Sequence, residues 1–289
     1  YWVKVHEIPE ANRTSRGAHI KSLLTVSSDE EITTVVALRD FSDTEFLLMA
    51  TAAGVVKKVT TSDFQNAKTR GIIAIKLDDG DRLIGATLTS GDDEIMLITR
   101  QGQALRMTEK DIRPLGRASR GVTGIRLANG DELAGALRVN EARMLIMTEC
   151  GHGKRGEFSE FTPHGRATGG QKIYTINDKT GEIVGLITVQ DTDEVVCITS
   201  QGKTLRVRAK NIPVMGRAAQ GVRILNIERP DILVGIDSVA KEDEESTRLR
   251  EKDTNEVSIA GELDLDGSDE ISSEEPAEAP NEDILDESD

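Results

Sequence analysis

Glycine recurs at the same place in five copies of one basic phrase, and this repeat constrains the fold more than any other feature of the chain. The phrases are RTSRGAHIKSL around Gly17, KTRGIIAIKL around Gly71, RASRGVTGIRL around Gly121, RATGGQKIYTI around Gly170 and RAAQGVRILNI around Gly221. Successive glycines lie 54, 50, 49 and 51 residues apart. A period of about fifty is too long for helical-hairpin repeats and is typical of a propeller or a similar radial array, in which each repeat is one small sheet.

Two further sets of glycines recur with the same period as the phrases. One set follows a threonine by three residues, as in TAAG, TRQG, TECG and TSQG, and the other follows an acidic turn, as in DRLIG and DELAG. Between them lie short runs of Ile, Val, Leu and Thr, bounded by Gly, Asp or Asn, which favour strands over helices. Four such runs in each repeat predict an all-β protein built of four-stranded blades.

The register of the repeat also bears on the first residues of the chain. Lys4 and Val5 occupy the place that Lys58 and Val59 hold in the next repeat. The chain therefore begins, in this interpretation, in the last strand of a first blade, and we expect that blade to be truncated.

Charge divides the chain into two predicted parts. The net charge is −15 for the whole chain, −16 for residues 241–289 and +1 for residues 1–240. The acidic C-terminal segment has few apolar residues and no period, which predicts a disordered tail after a single β-domain spanning 1–240. No apolar stretch is long enough to span a membrane, so a cytoplasmic protein is expected. Cys150 and Cys197 are interpreted as small core residues rather than as a disulfide.

Cations recur at fixed places in the repeat. Four residues before the phrase glycine stand Arg13, Arg117, Arg166 and Arg217, with Lys68 offset by one, and directly before it stand Arg16, Arg70 and Arg120. A second set follows the threonine-linked glycines: Lys57, Lys58, Arg106, Lys154, Arg155 and Arg206. A radial array places equivalent loops around one rim, so these residues are predicted to form a belt that neutralises the phosphates of a polyanion. The alternative is that each arginine caps a turn carbonyl or pairs with an acid in its own blade.

Other chemistries find little support. The segment GHGKRG at 151–156 lacks the spacing of a phosphate-binding loop, and the four histidines show no metal-ligand spacing with either cysteine. Residues 262–273 only half-resemble a calcium loop, and no catalytic constellation can be assigned. Aromatic residues make up 3% of the chain, too few to stack unpaired bases, which disfavours a single strand and favours a duplex backbone.

These segments, in this order, resemble the C-terminal domain family of DNA gyrase A subunits: YWVKVHEIPEANRTSRGAHI, MATAAGVVKKV, GIIAIKLDDGDRLIGATLTSGDDEIMLITRQG and SQGKTLRVRAKNIPVMGRAAQGVRIL. The resemblance covers residues 1–240. It implies a six-bladed β-pinwheel that wraps duplex DNA around a basic rim and so directs ATP-dependent negative supercoiling. It also implies a gyrase A cleavage domain and gyrase B as partners in an A2B2 holoenzyme, with ATP and magnesium acting on those other parts and no cofactor or metal in this chain.

The chain departs from that family in one respect. The basic box of Gln-Arg-Arg-Gly-Gly-Lys-Gly type is absent, which the truncated first blade would explain. In the family the tyrosine that attacks DNA lies upstream, so neither Tyr1 nor Tyr174 is assigned that role and no catalytic residue is expected here. Two alternatives remain: the equivalent domain of topoisomerase IV, which bends DNA without a full wrap, and a propeller that binds protein. Kelch-type propellers share the period, but their paired glycines and their repeating Tyr and Trp are absent.

Overall fold

The computed structural model describes residues 1–12, 15, 17–27, 30–67 and 70–239. The chain divides into two units, Tyr1–Lys241 and Glu242–Asp289. The predicted tail at 241–289 lies outside the described residues, as do Arg13, Arg16 and Lys68, so the predictions made for them stay predictions.

The described residues form fifteen short strands and no α-helix. The strands are β1 (Phe46–Thr51), β2 (Val55–Thr60), β3 (Leu83–Thr89), β4 (Glu94–Thr99), β5 (Gln103–Thr108), β6 (Val122–Thr123), β7 (Leu133–Arg138), β8 (Arg143–Thr148), β9 (His152–Gly156), β10 (Gln171–Lys172), β11 (Ile183–Val189), β12 (Glu194–Thr199), β13 (Thr204–Arg208), β14 (Val222–Arg223) and β15 (Leu233–Val239). Single 3₁₀ turns occupy Val5–Glu7, Ile20–Ser22, Thr61–Phe64, Glu109–Asp111, Phe158–Glu160 and Ala209–Asn211. The prediction of an all-β protein is confirmed.

These strands pair, all antiparallel, into four sheets that follow one another along the chain. Sheet 1 has the order β3-β1-β2-β6, sheet 2 has β7-β4-β5-β10, sheet 3 has β11-β8-β9-β14 and sheet 4 has β15-β12-β13. The strand named first in each sheet also lies beside the strand named first in the next sheet. Consequently β3 neighbours β7, β7 neighbours β11 and β11 neighbours β15. The arrangement is propeller-like, with one sheet for each repeat from residue 46 onward.

The fourth strand of sheets 1 to 3 comes from a glycine phrase of a later repeat. Val122 and Thr123 pair with Val56 and Val55 of sheet 1, although sheet 2 begins between them in the sequence. The phrase glycines permit this exchange because the incoming strand meets the backbone of its neighbour without a side chain. A Cβ at Gly170 would lie 2.6 Å from the carbonyl oxygen of Ala104, so any larger residue would push the strand away.

The prediction of six blades is wrong for the described residues, which form four sheets. The family resemblance implied that number, with five repeats and part of a first blade expected in this chain, whereas each phrase that forms a strand supplies the outer strand of an earlier sheet. The described part of residues 1–39 contains two 3₁₀ turns and no strand. Four strands per blade is confirmed for sheets 1 to 3 and wrong for sheet 4, which has three.

The hydrophobic core lies between consecutive sheets, because the central strand of each sheet is apolar on both faces. In β4, Ile95 and Leu97 pack against sheet 1, whereas Met96 and Ile98 pack against sheet 3, and all four are fully buried. A third cluster joins sheet 3 to sheet 4 through Leu145, Met147, Val195 and Cys197. Cys197 is therefore a core residue, as predicted, whereas Cys150 is only partly buried, and both cysteines are free.

Tyr174 provides a test of this packing. The residue is fully buried between sheets 2 and 3, and its hydroxyl is without a hydrogen-bond partner among the described residues. Burial raises the pKa of this phenol above its ordinary value. Because an unpaired buried hydroxyl costs about 1–3 kcal/mol, Tyr174→Phe is expected to leave the free energy of unfolding unchanged or to raise it by about 1 kcal/mol.

Urea denaturation measures this effect, with Tyr1→Phe as the control. The Tyr1 hydroxyl donates to Glu30 at an exposed site, so its removal is expected to change stability by less than about 0.5 kcal/mol. A loss of more than about 1 kcal/mol in Tyr174→Phe would show that the buried hydroxyl has a partner in solution, such as an ordered water.

Candidate nucleic-acid interface

The structure places successive glycine phrases side by side. The amide of Lys76, in the Gly71 phrase, donates to the carbonyl of Ser119 in the Gly121 phrase at 3.0 Å. The amide of Arg126 donates to Thr168 of the Gly170 phrase at 2.8 Å, and the Thr175 hydroxyl donates to Ala218 beside Gly221 at 2.9 Å. Four phrases therefore form one continuous structure, which we call the phrase row (residues 70–77, 113–127, 162–176 and 213–227).

Exposed arginines lie along the phrase row. Arg117, Arg166 and Arg217 occupy the same place in three Gly-Arg-Ala turns, with Arg166 and Arg217 exposed and Arg117 half-buried. The Arg166 guanidinium donates to the carbonyl of Thr123 at 3.4 Å, and that of Arg217 donates to the Gln171 side chain and lies 5.9 Å from the Phe161 ring. None of the three arginines forms an ion pair within the described residues.

The cations directly before the phrase glycine are also exposed. Arg70 lies at the surface, and Arg120 forms an ion pair with Asp78 in which both side chains are about half exposed. An exposed pair of this kind contributes little and exchanges readily for another anion.

Besides Arg113, which is also exposed, four cations of the phrase row were missed by sequence reasoning. Lys76 and Arg126 stand five residues after a phrase glycine, and Lys172 and Arg223 stand two residues after one. All four are exposed. Their fixed offsets from the glycine are a sequence signal that could have identified them.

Lys57 and Lys154 lie in the interior, contrary to their prediction as rim residues. Their exposed fractions are 0% and 1%. The ammonium of Lys57 donates to the carbonyls of Ala74 at 2.8 Å, of Ser119 at 2.9 Å and of Arg117. That of Lys154 donates to Gly216 at 2.9 Å and to Arg217 at 2.7 Å. Neither side chain presents a free face to a phosphate.

Burial also governs the charge of these lysines. It lowers the pKa of Lys154 to about 8, because the charged form loses its hydration, although the nearby Glu160 carboxylate acts in the opposite direction. The pKa of Lys57 is lowered by burial and secondarily by the positive charge of Arg117.

The next residue along each of these two strands is also engaged within the fold. Lys58 is buried, donates to the carbonyl of Glu109 and lies 4.9 Å above the Phe46 ring. Arg155 is buried, donates to Ile212 at 2.7 Å and pairs with Asp191.

The corresponding arginines of sheets 2 and 4 differ in exposure. Arg106 is part-buried and binds the Glu94 carboxylate and the carbonyls of Phe158 and Phe161. Arg206, in the three-stranded sheet 4, is exposed and pairs with Glu194. For Lys58, Arg106 and Arg155 the geometry therefore fits the alternative interpretation, in which the cation caps turn carbonyls or pairs within the fold.

Several acidic residues of the repeat fix turns between strands or join neighbouring sheets. Asp131 accepts from the amides of Gln101 and Glu132, and Asp231 accepts from those of Gln201 and Ile232, so each fixes a Thr-x-x-Gly turn. Arg100 joins sheets 2 and 3 through ion pairs with Glu149 at 3.0 Å and Glu182 at 2.5 Å. These acids are engaged in structural contacts, while the phrase row keeps exposed cations.

Within the described residues, no cluster of three or more His, Cys, Asp or Glu could hold a metal ion. In that same part of the chain, no helix is long and apolar enough to cross a membrane.

Comparison with known proteins identifies the family. The family model of the DNA gyrase C-terminal domain, described as a β-propeller, matches residues 1–39, 45–90, 93–140, 143–190 and 193–240. The chain belongs to this family. The resemblance predicted from the glycine phrases is therefore confirmed, and the five matched segments follow the repeat derived from the sequence.

Individual proteins that are similar to this chain also indicate the gyrase family. The chain is 60% identical over 240 residues to the DNA gyrase A subunit of Treponema pallidum (strain Nichols), covering 83% of this chain and 30% of that protein. It is 37% identical over 275 residues to the DNA gyrase A subunit of Escherichia coli (strain K12), covering 95% of this chain and 30% of that protein. The chain thus spans about 30% of the length of these relatives, and the family model that it matches is that of the gyrase C-terminal domain.

Solved structures share the gyrase fold. The chain aligns with a structure described as the DNA gyrase A C-terminal domain with a TM-score of 0.73 and 30% identity, covering 82% of this chain and 78% of the other. It aligns with the C-terminal domain of DNA topoisomerase IV with a TM-score of 0.75 and 25% identity, covering 86% and 79%. The fold is therefore common to both classes, whereas the family model and the sequence relatives specify gyrase.

Proposed function

We propose that this gyrase C-terminal domain binds duplex DNA along the phrase row and wraps the duplex across successive sheets. The observation that carries the proposal is the continuous phrase row, in which hydrogen bonds join neighbouring phrases and an arginine stands at the same place in three of them. Regularly spaced cations on adjacent repeats suit a polyanion that passes each repeat in turn, because each cation can release counterions from a phosphate.

The chemistry of the phrase row favours the DNA backbone over the bases. Its charged groups are arginines and lysines, which contact phosphates without reading sequence. The exposed Lys76, Arg126, Lys172 and Arg223 extend the proposed contact set beyond the Gly-Arg-Ala turns. We therefore expect similar affinity for duplexes of different sequence and a steep dependence on salt.

Within the whole enzyme, the wrap would set the handedness of the DNA crossing that gyrase passes. The domain would then act with the gyrase A cleavage domain and gyrase B in an A2B2 assembly, in which other parts use ATP and magnesium and the net product is negative supercoiling. We propose a cytoplasmic, nucleoid-associated location for this assembly.

DNA wrapping is tested with the full 289-residue chain. Fluorescence anisotropy is expected to show tighter binding to duplex than to single-stranded DNA, with affinity falling steeply as salt rises. Relaxation of a plasmid by a type I topoisomerase in the presence of the chain is expected to leave writhe of one hand. Equal affinity for single strands, or binding that is insensitive to salt, would refute the proposal.

Bending without a full wrap is the second candidate. It is favoured by the likeness to the topoisomerase IV domain and by the absence of a Gln-Arg-Arg-Gly-Gly-Lys-Gly string from the chain. The plasmid experiment separates the two, because bending gives salt-dependent duplex binding with no net change in linking number. A protein-binding propeller would give neither result.

A further inference from the structure

The three Gly-Arg-Ala turns of the phrase row differ in what lies beneath them. Two of the turns accept hydrogen bonds from the third residue after a threonine-linked glycine on the neighbouring strand: Lys57 for Arg117 and Lys154 for Arg217. In sheet 2, to which the Arg166 phrase belongs, the equivalent sequence position is the fully buried Leu105. The same turn sequence therefore binds a buried ammonium in two sheets, whereas the third sheet has an isobutyl group at that position.

The buried lysines bind the backbone of the arginines themselves. The ammonium of Lys57 donates to the carbonyl of Arg117, and that of Lys154 donates to the carbonyl of Arg217 at 2.7 Å. A buried ammonium without hydrogen-bond acceptors is very unfavourable, so the native fold must turn these carbonyls inward. Lys154 also lies 5.3 Å from the centre of the Tyr174 ring, which supplies a further favourable contact on its buried side.

The turn of Arg166, whose sheet has leucine in place of the lysine, adopts a different backbone. Ala167, which follows Arg166, has a φ of 62° and is the one non-glycine residue in the left-handed region within the described residues. The matching Ala118 and Ala218 lie outside that region. A left-handed alanine is unfavourable, and here it coincides with the loss of the lysine that binds the arginine carbonyl in the other two turns.

We propose that Lys57 and Lys154 are positioning residues for DNA binding, which hold the Arg117 and Arg217 carbonyls inward and thereby present those two guanidinium groups to phosphate. This proposal rests on the function proposed above. In this proposal the two buried lysines do not contact phosphate themselves. Arg166 has no such lysine beneath its carbonyl, so its contact with phosphate does not depend on one.

A double-mutant cycle tests the proposal, with Lys154→Leu chosen because leucine occupies the equivalent place in sheet 2. Lys154→Leu is expected to weaken duplex binding by about threefold to tenfold, and Arg217→Ala is expected to cost much less in the Lys154→Leu background than in the unaltered chain. Arg166→Ala is the matched control and is expected to cost the same factor in both backgrounds. Independent, multiplicative effects of positions 154 and 217 would overturn the proposal.

A DNA-free measurement separates this proposal from the proposed function. The amide of Ala219 donates to Gly216 inside the supported turn. Hydrogen exchange at this amide is expected to be at least about tenfold faster in Lys154→Leu, with exchange at Ala167 unchanged, whether or not the chain binds DNA. Unchanged exchange at Ala219 would overturn the positioning role. If Lys154→Leu does not fold, Lys57→Leu with Arg117→Ala gives the same cycle in sheet 1, with Arg166→Ala again as control.

Discussion

Loss of Arg117, Arg166 and Arg217 together is expected to weaken duplex DNA binding by about 10²–10³-fold at about 0.1 M salt. The three guanidinium groups stand at one place in successive turns of the phrase row and form no ion pair among the described residues. Each lost phosphate contact should flatten the slope of log K against log salt by about 0.9, so the triple alanine variant should lose about 2.7 from it. Anisotropy titrations over a salt series, with duplexes of several sequences, measure both quantities.

A matched variant separates contact from net charge. Alanine at Arg82, Arg138 and Arg208 removes the same charge from residues outside the phrase row, where each pairs with an acid: Glu132, Asp93 and Glu194. We expect this variant to bind within about threefold of the unaltered chain, with its salt slope preserved. Similar losses in both variants would show that only net charge matters. A folded phrase-row variant with an unchanged slope would show that its three arginines are turn caps.

The repeat could be predicted from the sequence because the backbone geometry requires glycine at its repeating positions. Gly170 and Gly221 both have positive φ, and a side chain at either position would strike the neighbouring strand. Such positions tolerate little else, so they remain visible in a single sequence. What the glycines do not reveal is the partner strand. Val122 pairs with Val56 across 66 residues, and no local pattern distinguishes this pairing from one within its own repeat.

The interface could be predicted only in part, because sequence position does not report burial. Lys57 and Lys58 are adjacent in β2, so strand alternation predicts that one of them faces solvent. Both are buried, because the 3₁₀ turn Glu109–Asp111 covers Lys58 and the Gly-Arg-Ala turn at Arg117 covers Lys57. That covering comes from residues 51 to 62 positions later in the chain. A basic repeat therefore mixes cations that build turns with cations that face outward.

Ile98→Ala is expected to lower the free energy of unfolding by about 2–5 kcal/mol, whereas Ile198→Ala should lower it by less than about 1 kcal/mol. The two isoleucines hold the same place in the central strands of sheets 2 and 4. Ile98 is 0% exposed because sheet 3 covers it, whereas Ile198 is 46% exposed. Urea denaturation of the two variants measures the difference directly.

The contrast follows from how the repeats share their cores. Each core lies between two sheets, so a side chain of a central strand is buried only where a neighbouring sheet packs on its face. Gly102 and Gly202 also differ between sheets 2 and 4. A Cβ at Gly102 would lie 2.6 Å from the carbonyl oxygen of Tyr174, in the segment that completes sheet 2. A Cβ at Gly202, in sheet 4, would meet no atom within 4 Å. Equal losses of stability in Ile98→Ala and Ile198→Ala would therefore mean that another segment or molecule covers the outer face of sheet 4 in solution.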